Sequence, residues 1–557
     1  MTPIIECVPN FSEGRDLQII QGITREIESM EGVRLLNVDP GKATNRTVVT
    51  FVGSPENVVE AAFLAIKKAG ELIDMRQHLG EHPRMGATDV CPLIPVSGIN
   101  MEETVQWAQK LAARVGKELA IPVYLYENAQ KNKERSNLSV IRAGEYEGFS
   151  EKIKLPEWKP DFGPSVFDEK RGATVIGARD FLVAYNINLN TTSVRRANSV
   201  AFDVREAGRI KREGDPINGT IVRDKAGLPV MTPGSLKSVK AIGWFIKEYG
   251  VAQISMNLTN LNMTPLHIAF DEVCKKAEAR GLRVTGSELV GLIPLQSLLD
   301  AGKYFLNKQQ RSAGVSEKEL IRIAILSMGL NELGPFKPEE RIIEYMLKNS
   351  TDRQLVQLSL AEFADETSSE SPAPGGGSVA AYIGALGAGL GAMVANLTAL
   401  KKDWNLFGQW AEKASACKKE LLSLVDADTK AFEQIIQARG LPKKTEAEIA
   451  IRTRALLAAT ILAIEVPYRV MQVAFQSMEI IEFMAREGNP NSKSDAGVGA
   501  LCARSAVWGA WLNVCINAEG TESNNHISAI LADGKKILSQ AVEKEKEILD
   551  IVGLTGG

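Results

Sequence analysis

The sequence predicts a multidomain protein in which two α/β-sandwich subdomains precede an all-helical domain. Its 557 residues exceed what one hydrophobic core holds, since domains contain roughly 100–200 residues each. In the N-terminal part, β-rich runs alternate with amphipathic helices, which indicates open sheets with helices on one face. Strand signals nearly vanish after Leu355, where long helical patterns typical of a bundle begin.

The first α/β unit is predicted from five strands and two long helices. Ser54 is expected to cap a helix that begins with Pro55, because serine followed by proline is typical of a helix N-terminus. Apolar residues then recur at helical spacing from Val58 to Ile66, and a second helix is predicted over residues 101–116. The β-rich runs are IIECV, VRLLNVD, RTVVTFVG, VCPLIPV and PVYLYEN.

A second α/β unit is predicted to follow a break in this pattern. Residues 154–172 are rich in proline, glycine and charge, as are linkers and ligand-facing loops. Strands are predicted at FLVAYNINL, AIGWFI and VAQISMNL, with helices over residues 192–207 and 265–280. Residues 210–233 are polar and turn-rich, which predicts a surface excursion.

The helical unit is predicted from four long helices, over residues 379–400, 411–439, 444–476 and 496–516. The first of them is apolar and long enough to span a membrane. Its many alanines and glycines suit close packing between helices equally well. Because neither a second such segment nor a basic N-terminal flank accompanies it, we expect a buried bundle helix.

Composition and charge restrict the class of protein. Apolar residues make up 45% and charged residues 24% of the chain, which is ordinary for a soluble globular protein. The net charge of −3 gives no basic excess, so nucleic acid is not expected as a partner. The N-terminus lacks a basic segment followed by an apolar core, so no signal peptide is expected.

Cysteine usage predicts a cytoplasmic protein. The six cysteines are sparse and form no CxxC pair, which favours reduced and mostly buried thiols. Cysteine and histidine do not cluster at the spacing of metal ligands, so no metal site is predicted.

The stretch GEHPRMG carries the first candidate for catalysis. Histidine titrates near neutral pH, so His82 can give and take a proton within one cycle, and Arg84 can hold a carboxylate. Asp39 ends one predicted strand and Arg46 starts the next, and a carboxylate there can orient an imidazole. Asn10 follows the first strand, and polar groups at strand ends can converge on one cleft. The alternative is a surface histidine beside ordinary turn residues.

A glycine-rich segment, SPAPGGGSVAAYIGA, precedes the apolar helix. Free backbone N–H groups and the positive end of a helix dipole make it a candidate ligand site. It lacks the GK[ST] of a P-loop, so nucleoside triphosphate binding is not predicted. The alternative is a flexible cap on a tightly packed helix. The candidate residues are Gly375, Gly376, Gly377 and Ser378.

Two carboxylates in LVDADTKAFEQI lie inside a predicted helix. Asp426 and Asp428 point about 200° apart, so at most one faces the bundle interior. Asp428 lies three residues after Val425, near the apolar face, whereas Asp426 is expected to be solvated. A buried carboxylate is costly unless it is paired or functional, which favours Asp428. Asp495, in GNPNSKSDAG, is either a helix N-cap or a ligand contact.

Nine segments, taken in order along the chain, resemble one family. They are ECVPNFSEGRD, TNRTVVTFVG, GEHPRMGATDVCP, PDFGPS, AIGWF, RIIEY, APGGGSVAA, VDAD and SKSD. Together they are similar to formimidoyltransferase-cyclodeaminases, bifunctional folate enzymes of histidine breakdown, over nearly the whole chain. The resemblance implies a transferase that moves a formimidoyl group from N-formimidoyl-L-glutamate to tetrahydrofolate. It also implies a cyclodeaminase that closes the product to 5,10-methenyl-tetrahydrofolate and releases ammonia.

The resemblance further implies a layout and partners. We expect transferase subdomains over residues 1–180 and 181–340, a linker over 341–354 and a helical cyclodeaminase domain over 355–557. Tetrahydrofolate, as a polyglutamate, is expected as co-substrate, with no permanently bound cofactor. A homo-oligomer with contacts between helical domains is implied, and small residues at 384–391 offer a face for it. No nucleic acid or membrane partner is expected.

Residue roles are implied in the same way. The family's transferase histidine falls on His82, its carboxylate partner on Asp39, and its cyclodeaminase carboxylate on Asp428. A tetrahedral carbon bearing three nitrogens forms during transfer, so His82 can protonate the leaving nitrogen while Asp39 stabilises the imidazolium. Arg46, Asn10 and Asn188 are our additions. The implied folate-binding residues are Gly163, Pro164, Ser165, Val166, Phe167, Asp168, Glu169, Lys170, Arg171 and Gly172.

Two alternative functions remain at this stage. A transferase joined to a methenyl-tetrahydrofolate cyclohydrolase-type domain differs from the first hypothesis because it releases no ammonia. A folate-binding scaffold with one inactive site predicts that Asp428→Ala leaves function unchanged.

Overall fold

A computed structural model describes residues 3–41, 45–80, 83–215, 218–347, 354–371, 373–521 and 524–553. The chain forms two compact units. The α/β unit comprises residues 1–298 and 328–348, and the helical unit comprises residues 299–327 and 349–557. The predicted fold class, α/β subdomains followed by an all-helical region, is confirmed.

The first sheet of the α/β unit has seven strands. β4 pairs with β3 on one side and with β1 and β2 on the other, and the order continues β5-β7-β6. The β5-β7-β6 ladders are parallel, whereas the remaining pairs are antiparallel. The strands are β1 (Ile4–Cys7), β2 (Asn10–Phe11), β3 (Val33–Gly41), β4 (Arg46–Gly53), β5 (Thr88–Ser97), β6 (Val123–Glu127) and β7 (Thr174–Ala178).

Three helices cover one face of this sheet, since their apolar residues share one core with side chains of β1, β4, β5, β6 and β7. They are α1 (Leu17–Glu28), α2 (Pro55–Leu72) and α3 (Met101–Glu118). As predicted, Ser54 caps α2 and Pro55 begins it. Because side chains alternate along a strand, Val123 and Leu125 join this core while Tyr124 and Tyr126 face the other side. On that other side lie α4 (Leu138–Arg142) and α5 (Glu145–Lys152).

A second sheet, with the antiparallel order β13-β14-β8-β15, follows in the α/β unit. Residues 210–233 contribute two short, mostly exposed hairpins, as the surface prediction implies. The strands and helices are β8 (Val183–Leu189), α6 (Val194–Val204), β9 (Arg209–Ile210), β10 (Arg212–Glu213), β11 (Thr220–Ile221), β12 (Met231–Thr232), β13 (Val239–Ile246), β14 (Val251–Leu258), α7 (Leu266–Glu278), β15 (Val284–Val290), α8 (Leu295–Lys308), α9 (Glu317–Met328), α10 (Pro338–Arg341) and α11 (Ile343–Met346).

The helical unit is a bundle of long helices, and it also takes residues 299–327, which hold most of α8 and α9. Its own helices are α12 (Leu360–Thr367), α13 (Gly376–Ala399), α14 (Trp404–Gly440), α15 (Glu446–Glu487), α16 (Lys493–Ala518) and α17 (Asn525–Val552). Alanine, valine, isoleucine and methionine side chains from α13 to α17 form one buried core.

The helix α13 lies inside this bundle. Within the described part of the chain it is the one helix long and apolar enough to cross a membrane, by length and composition alone. Buried residues make up 61% of its most apolar stretch, and Gly387 packs against the backbone of Gly499 on α16. The prediction of a buried bundle helix is therefore confirmed.

Several elements escape the sequence analysis. β7 (Thr174–Ala178) inserts between β5 and β6, so residues 154–172 lead back into the first sheet. β15 completes the second sheet, α8 and α9 lie mostly in the part of the helical unit formed by residues 299–327, and α17 completes the bundle. The predicted boundaries of the domains stay a prediction.

Candidate functional site

A cavity of about 850 Å³ opens on the face of the first sheet that α1, α2 and α3 leave uncovered. Its walls carry four cationic side chains, three carboxylates and several amides, so it suits a polar, charged ligand. Strands β2, β4, β5 and β6, the α4 region and the ends of β8, β13 and β14 contribute. The lining residues include Asn10, Arg46, Pro83, Val90, Tyr126, Asn128, Asn137, Ser139, Arg142, Arg179, Asp180, Ser238, Lys240, Thr259 and Asn260.

Strand register brings Asn10 and Arg46 together, as the sequence analysis proposed. Asn10 lies between Val48 of β4 and Val90 of β5, and Arg46 is two residues before Val48. Residues two apart on a strand share a face, so both side chains reach the cavity. Nε and Nη2 of Arg46 donate to Asn10 Oδ1 at 2.9 and 2.6 Å.

A buried carboxylate, Asp89, joins two arginines of the cavity wall. Arg46 Nη1 lies 3.3 Å from Asp89 Oδ2, and Arg142 donates through Nε and Nη2 to the two carboxylate oxygens. The Asp89 side chain has no exposed surface, whereas both arginines are 13% exposed. Burial lowers the pKa of Arg46 to about 10, which keeps it cationic at neutral pH. Sequence reasoning missed both Asp89 and Arg142.

The predicted catalytic histidine, His82, lies outside the described residues. Each of the next four residues either lines the cavity or is held by hydrogen bonds. Pro83 lines the cavity, and Arg84 donates to both oxygens of Glu147 at 2.8 and 2.6 Å. Met85 N–H donates to Asp89 at 3.1 Å, and the Gly86 carbonyl accepts from Ser12 at 2.8 Å. Arg84 therefore binds a carboxylate, as expected, but this carboxylate is the side chain of Glu147.

Asp39, the predicted partner of His82, lies in the same row of the sheet as Asn10. Asp39 pairs with Val48 on one side of β4, and Asn10 pairs with Val48 on the other. Two strand spacings separate their backbones, which is roughly 10 Å. The Asp39 side chain is exposed and is not among the cavity-lining residues. Its contact with His82 stays a prediction.

His78 is a buried histidine that contacts Arg84 in the loop after His82. The helix α2 ends six residues earlier, and His78 is buried. Its Nε2 lies 2.8 Å from the carbonyl of Asn45, and its Nδ1 accepts from Arg84 Nε at 3.2 Å. Burial, with help from Arg84, lowers the pKa of this imidazole, which favours the neutral ring.

The predicted folate segment, residues 163–172, is a structured loop beside the loop that follows His82. Asp168 accepts backbone N–H groups of Lys170 and Arg171 and the Nε of Arg171. Gly172 pairs with Gly86 and has φ +69°, and a Cβ there would lie 2.2 Å from the Met85 carbonyl. The two loops therefore fix one another, and the role in folate binding stays a prediction.

The structure does not bring Asn188 to this cavity. Asn188 lies on β8 with no exposed surface. Its Oδ1 accepts from Gln253 at 2.8 Å, and its Nδ2 donates to Glu332 at 2.5 Å. Both ends of the amide serve a polar cluster on the second sheet.

In the helical unit, the glycine-rich segment meets Asp428. Helix α13 begins at Gly376 with Gly375 as its N-cap, and Ser378 Oγ lies 3.0 Å from Asp428 Oδ2. The Ser378 backbone N–H donates to the same carboxylate. A Cβ on Gly377 would lie 2.2–2.6 Å from the Asp428 carboxylate atoms, so only glycine leaves room for it. Two candidates from separate parts of the sequence thus form one site.

Burial raises the pKa of Asp428, and its hydrogen bonds from Ser378 oppose this only in part. Within the described ranges, no cationic side chain contributes to this shift. Ser378 Oγ also lies 3.0 Å from the carbonyl of Val425. The hydroxyl can therefore donate to a charged Asp428, or accept from a protonated one while it donates to Val425. Both protonation states of the carboxyl are stabilised by a hydrogen bond.

Asp426 is not solvated, contrary to expectation. It is half-buried and accepts the backbone N–H of Leu355 at 2.7 Å, and burial raises its pKa. The sequence analysis missed the segment before α12, which folds back onto α14 and covers Asp426. Asp426 therefore anchors that segment.

Asp495 lies away from Asp428. It is in the first turn of α16, where Ser492 rather than Asp495 occupies the N-cap. Helices α13 and α16 are antiparallel, since Gly376 faces Asn513 and Gly387 faces Gly499. Eleven residues of α13 separate those two levels, which is about 16 Å. Asn513, which sequence reasoning missed, lies at the level of the glycine-rich segment instead.

Three family models match consecutive parts of the chain. Residues 4–179 match the N-terminal subdomain of the formiminotransferase domain, and residues 184–348 match the formiminotransferase domain. Residues 359–535 match formiminotransferase-cyclodeaminase.

Full-length and partial relatives agree with these matches. A formimidoyltransferase-cyclodeaminase of Mus musculus is 42% identical over 547 residues, 96% of this chain and 97% of the relative. A glutamate formimidoyltransferase of Thermoplasma acidophilum is 44% identical over 305 residues, 54% of this chain and 92% of the relative. A methenyltetrahydrofolate cyclohydrolase of Methylorubrum extorquens is 34% identical over 198 residues, 35% of this chain and 95% of the relative.

Proposed function

This chain belongs to the formimidoyltransferase-cyclodeaminase family, and from that membership we propose two successive reactions on one folate. The first transfers the formimidoyl group of N-formimidoyl-L-glutamate to tetrahydrofolate and releases glutamate. The second closes 5-formimidoyl-tetrahydrofolate to 5,10-methenyl-tetrahydrofolate and releases ammonia. The observation that carries the second step is the Asp428 carboxylate held between Gly377 and Ser378.

For the transfer step, we propose that the cavity of the α/β unit binds the substrates. N5 of tetrahydrofolate attacks the formimidoyl carbon, and the bond from that carbon to the glutamate nitrogen breaks once this nitrogen is protonated. His82 delivers the proton and Asp39 stabilises the imidazolium. Support for this comes from Pro83, the next residue after His82, which lines the cavity. Residues 163–172, packed against the same loop, are proposed to contact folate.

For ring closure, we propose that Asp428 is the proton carrier. N10 attacks the formimidoyl carbon and loses a proton, and the bond from that carbon to the terminal nitrogen breaks as ammonia leaves. Burial raises the pKa of this carboxyl, so it holds a proton more readily than a free aspartate does, which suits a group that both removes and delivers a proton. Gly375, Gly376 and Gly377 present the start of α13 beside it. Asp495, in the first turn of α16, lies outside this proposed site.

The test is an assay with two signals on the purified full chain. Tetrahydrofolate and N-formimidoyl-L-glutamate are supplied, and methenyl-tetrahydrofolate absorbance and free ammonia are followed together. We expect both to rise in equal amounts. Accumulation of 5-formimidoyl-tetrahydrofolate without ammonia would leave only the transferase.

A second candidate for the helical domain is hydrolysis of methenyl-tetrahydrofolate. The relative named methenyltetrahydrofolate cyclohydrolase favours it. This activity consumes methenyl-tetrahydrofolate and releases no ammonia, so the same two signals separate the two candidates. Methenyl-tetrahydrofolate supplied alone would lose its absorbance in the presence of a cyclohydrolase.

We also propose a homo-oligomer with contacts through the helical unit, but not through the small-residue face over residues 384–391. Gly384, Gly387 and Gly391 pack against other helices of the same unit. Helix α16 instead carries an exposed apolar stripe at helical spacing. The stripe consists of Val498, Leu501, Trp508, Leu512 and Ile516. Light scattering is expected to show a smaller particle for Leu512→Glu, but not for Ile451→Glu on α15.

Further proposals follow from the sequence. We propose that the protein works in the cytoplasm, supported by its sparse cysteine usage, and that cell fractionation will place it there. We propose tetrahydrofolate polyglutamate as the form of the co-substrate and no permanently bound cofactor. Full activity of protein dialysed against a chelator is the expected result.

A further inference from the structure

The charged side chains around Asp89 form a buried cluster in the wall of the cavity. Three charged groups, Arg46, Asp89 and Arg142, share one buried spot and leave a net charge of +1. A buried ion cluster of this kind is weak support for stability, because removing charges from water is costly. Both arginines line the cavity, so this positive charge faces whatever the cavity binds. Two of the three lining carboxylates, Glu145 and Asp180, have partners of their own in Arg84 and Asn260.

We propose that Arg46 and Arg142 bind the α-carboxylate of the formimidoyl donor, and that Asp89 is the positioning residue that aligns them. This inference rests on the proposed transferase function. Asp89 accepts hydrogen bonds from Nε and Nη2 of Arg142 and forms an ion pair with Nη1 of Arg46. Asn10 accepts hydrogen bonds from Nε and Nη2 of Arg46. Arg142 Nη1 is the guanidinium nitrogen outside this network, and guanidinium N–H groups pair well with carboxylates.

The position of the two arginines favours a carboxylate of the formimidoyl donor, rather than one of folate, as their ligand. Asp89 Oδ1 accepts both Arg142 Nε and the N–H of Met85, which is three residues after His82. The pair is therefore fixed to a residue that is only three positions from the proposed proton donor along the chain. In N-formimidoyl-L-glutamate only a nitrogen and the α-carbon separate the formimidoyl carbon from the α-carboxylate. The glutamate carboxylates of folate lie beyond its aminobenzoyl group, far from N5.

Other cations of the cavity fit this role less well. Arg179 donates to the carbonyl of Asp180 and interacts with buried Glu6 and Tyr126. Lys240 is exposed and lies on the second sheet. Arg46 and Arg142 are thus the two that a single carboxylate fixes beside the loop of His82.

The experiment compares two donors on the full chain. One is N-formimidoyl-L-glutamate, and the other is 4-(formimidoylamino)butanoate, which lacks only the α-carboxylate. We expect the wild type to prefer the first donor at least tenfold in kcat/KM. Asp89→Asn and Arg142→Lys are expected to reduce this preference to about twofold or less, by raising the KM of the first donor. The KM of tetrahydrofolate is expected to change less than twofold.

The control is Glu60→Gln, which breaks an ion pair with Arg114 on the helices of the opposite face. It should leave the preference intact. If Asp89→Asn does not fold, Arg142→Lys alone tests the proposal. Lysine keeps the positive charge but cannot contact a carboxylate through two nitrogens. An unchanged preference in folded variants would overturn the inference. A wild type without any transfer from N-formimidoyl-L-glutamate would instead overturn the proposed function.

Discussion

The two candidate sites of this protein use charge in opposite ways. In the α/β unit, Asp89 neutralises one of two arginines, holds both in fixed positions and leaves one net positive charge. In the helical unit, Asp428 is a single carboxylate whose hydrogen bonds come from the uncharged Ser378. The first arrangement suits binding and orientation of a charged substrate. The second suits proton transfer, because an unpaired carboxyl in a buried setting has a raised pKa.

The difference follows from the two architectures. A mixed sheet brings strand ends from distant parts of the chain to one face, so a site there can combine many polar groups. A bundle built from small residues brings helix backbones close together and leaves little room for side chains. At Gly377 the backbone itself forms the wall of the site.

Among variants that keep Asp428, the largest effect is expected from Gly377→Ala. Its new Cβ would lie 2.2–2.6 Å from the Asp428 carboxylate, so the carboxylate must move. A displacement of about 1 Å costs on the order of 100-fold in rate, and we expect that loss in ammonia release from 5-formimidoyl-tetrahydrofolate. The transferase rate should not change. Gly389→Ala on the same helix is the matched control, because its Cβ would meet only Lys418 at 3.8 Å.

A smaller effect is expected from Ser378→Ala. This change removes a hydroxyl donor to the charged form of Asp428, so the pKa of the carboxyl should rise further. Loss of a hydrogen bond to a charged group corresponds to roughly 10-fold or more in rate. The cyclodeaminase pH profile should therefore show its acidic limb at higher pH. A profile identical to that of the wild type would show that Ser378 does not act on Asp428.

The smallest effect concerns the stability of the α/β unit, where the buried carboxyl of Glu6 has only partial charge compensation from Arg179. Burial raises its pKa to about 7, although Arg179 opposes this. Because the folded value exceeds the unfolded value of 4.5, stability is full below pH 4.5 and is lost as pH rises to about 7. The loss is roughly 3 kcal/mol at most. Glu6→Gln should gain in thermal midpoint over the wild type between pH 5 and 8, and a constant difference would contradict this.

Local sequence signals predicted the elements well where periodicity was strong. The strands over residues 46–53 and 251–258 match their predicted bounds, and Ser54-Pro55 begins α2 as expected. Strand β7 was missed because a strand of only five residues directly after a glycine turn is hard to distinguish from the end of a loop. Helix α17 escaped because its apolar face is narrow within a charge-rich segment.

Contacts between distant residues could not be read from the sequence. Asp89 and Arg142 are 53 residues apart, and nothing in the local pattern joins them. Asp89 is also the second residue of a mostly apolar strand, which made it easy to miss. By contrast, Gly377 and Asp428 were both proposed from local features, and the fold supplied their proximity. The pattern of helix faces placed Asp428 correctly but Asp426 wrongly, because the segment that covers Asp426 was not foreseen.

The most direct test of the division of labour between the two sites is product analysis with Asp428→Asn. The variant is supplied with tetrahydrofolate and N-formimidoyl-L-glutamate, and glutamate, ammonia and folate products are quantified in one reaction. We predict that glutamate and 5-formimidoyl-tetrahydrofolate accumulate in equal amounts while ammonia release falls at least 1000-fold, since catalytic proton transfer and positioning are both lost. Ammonia and methenyl-tetrahydrofolate formed at the wild-type rate would contradict the account.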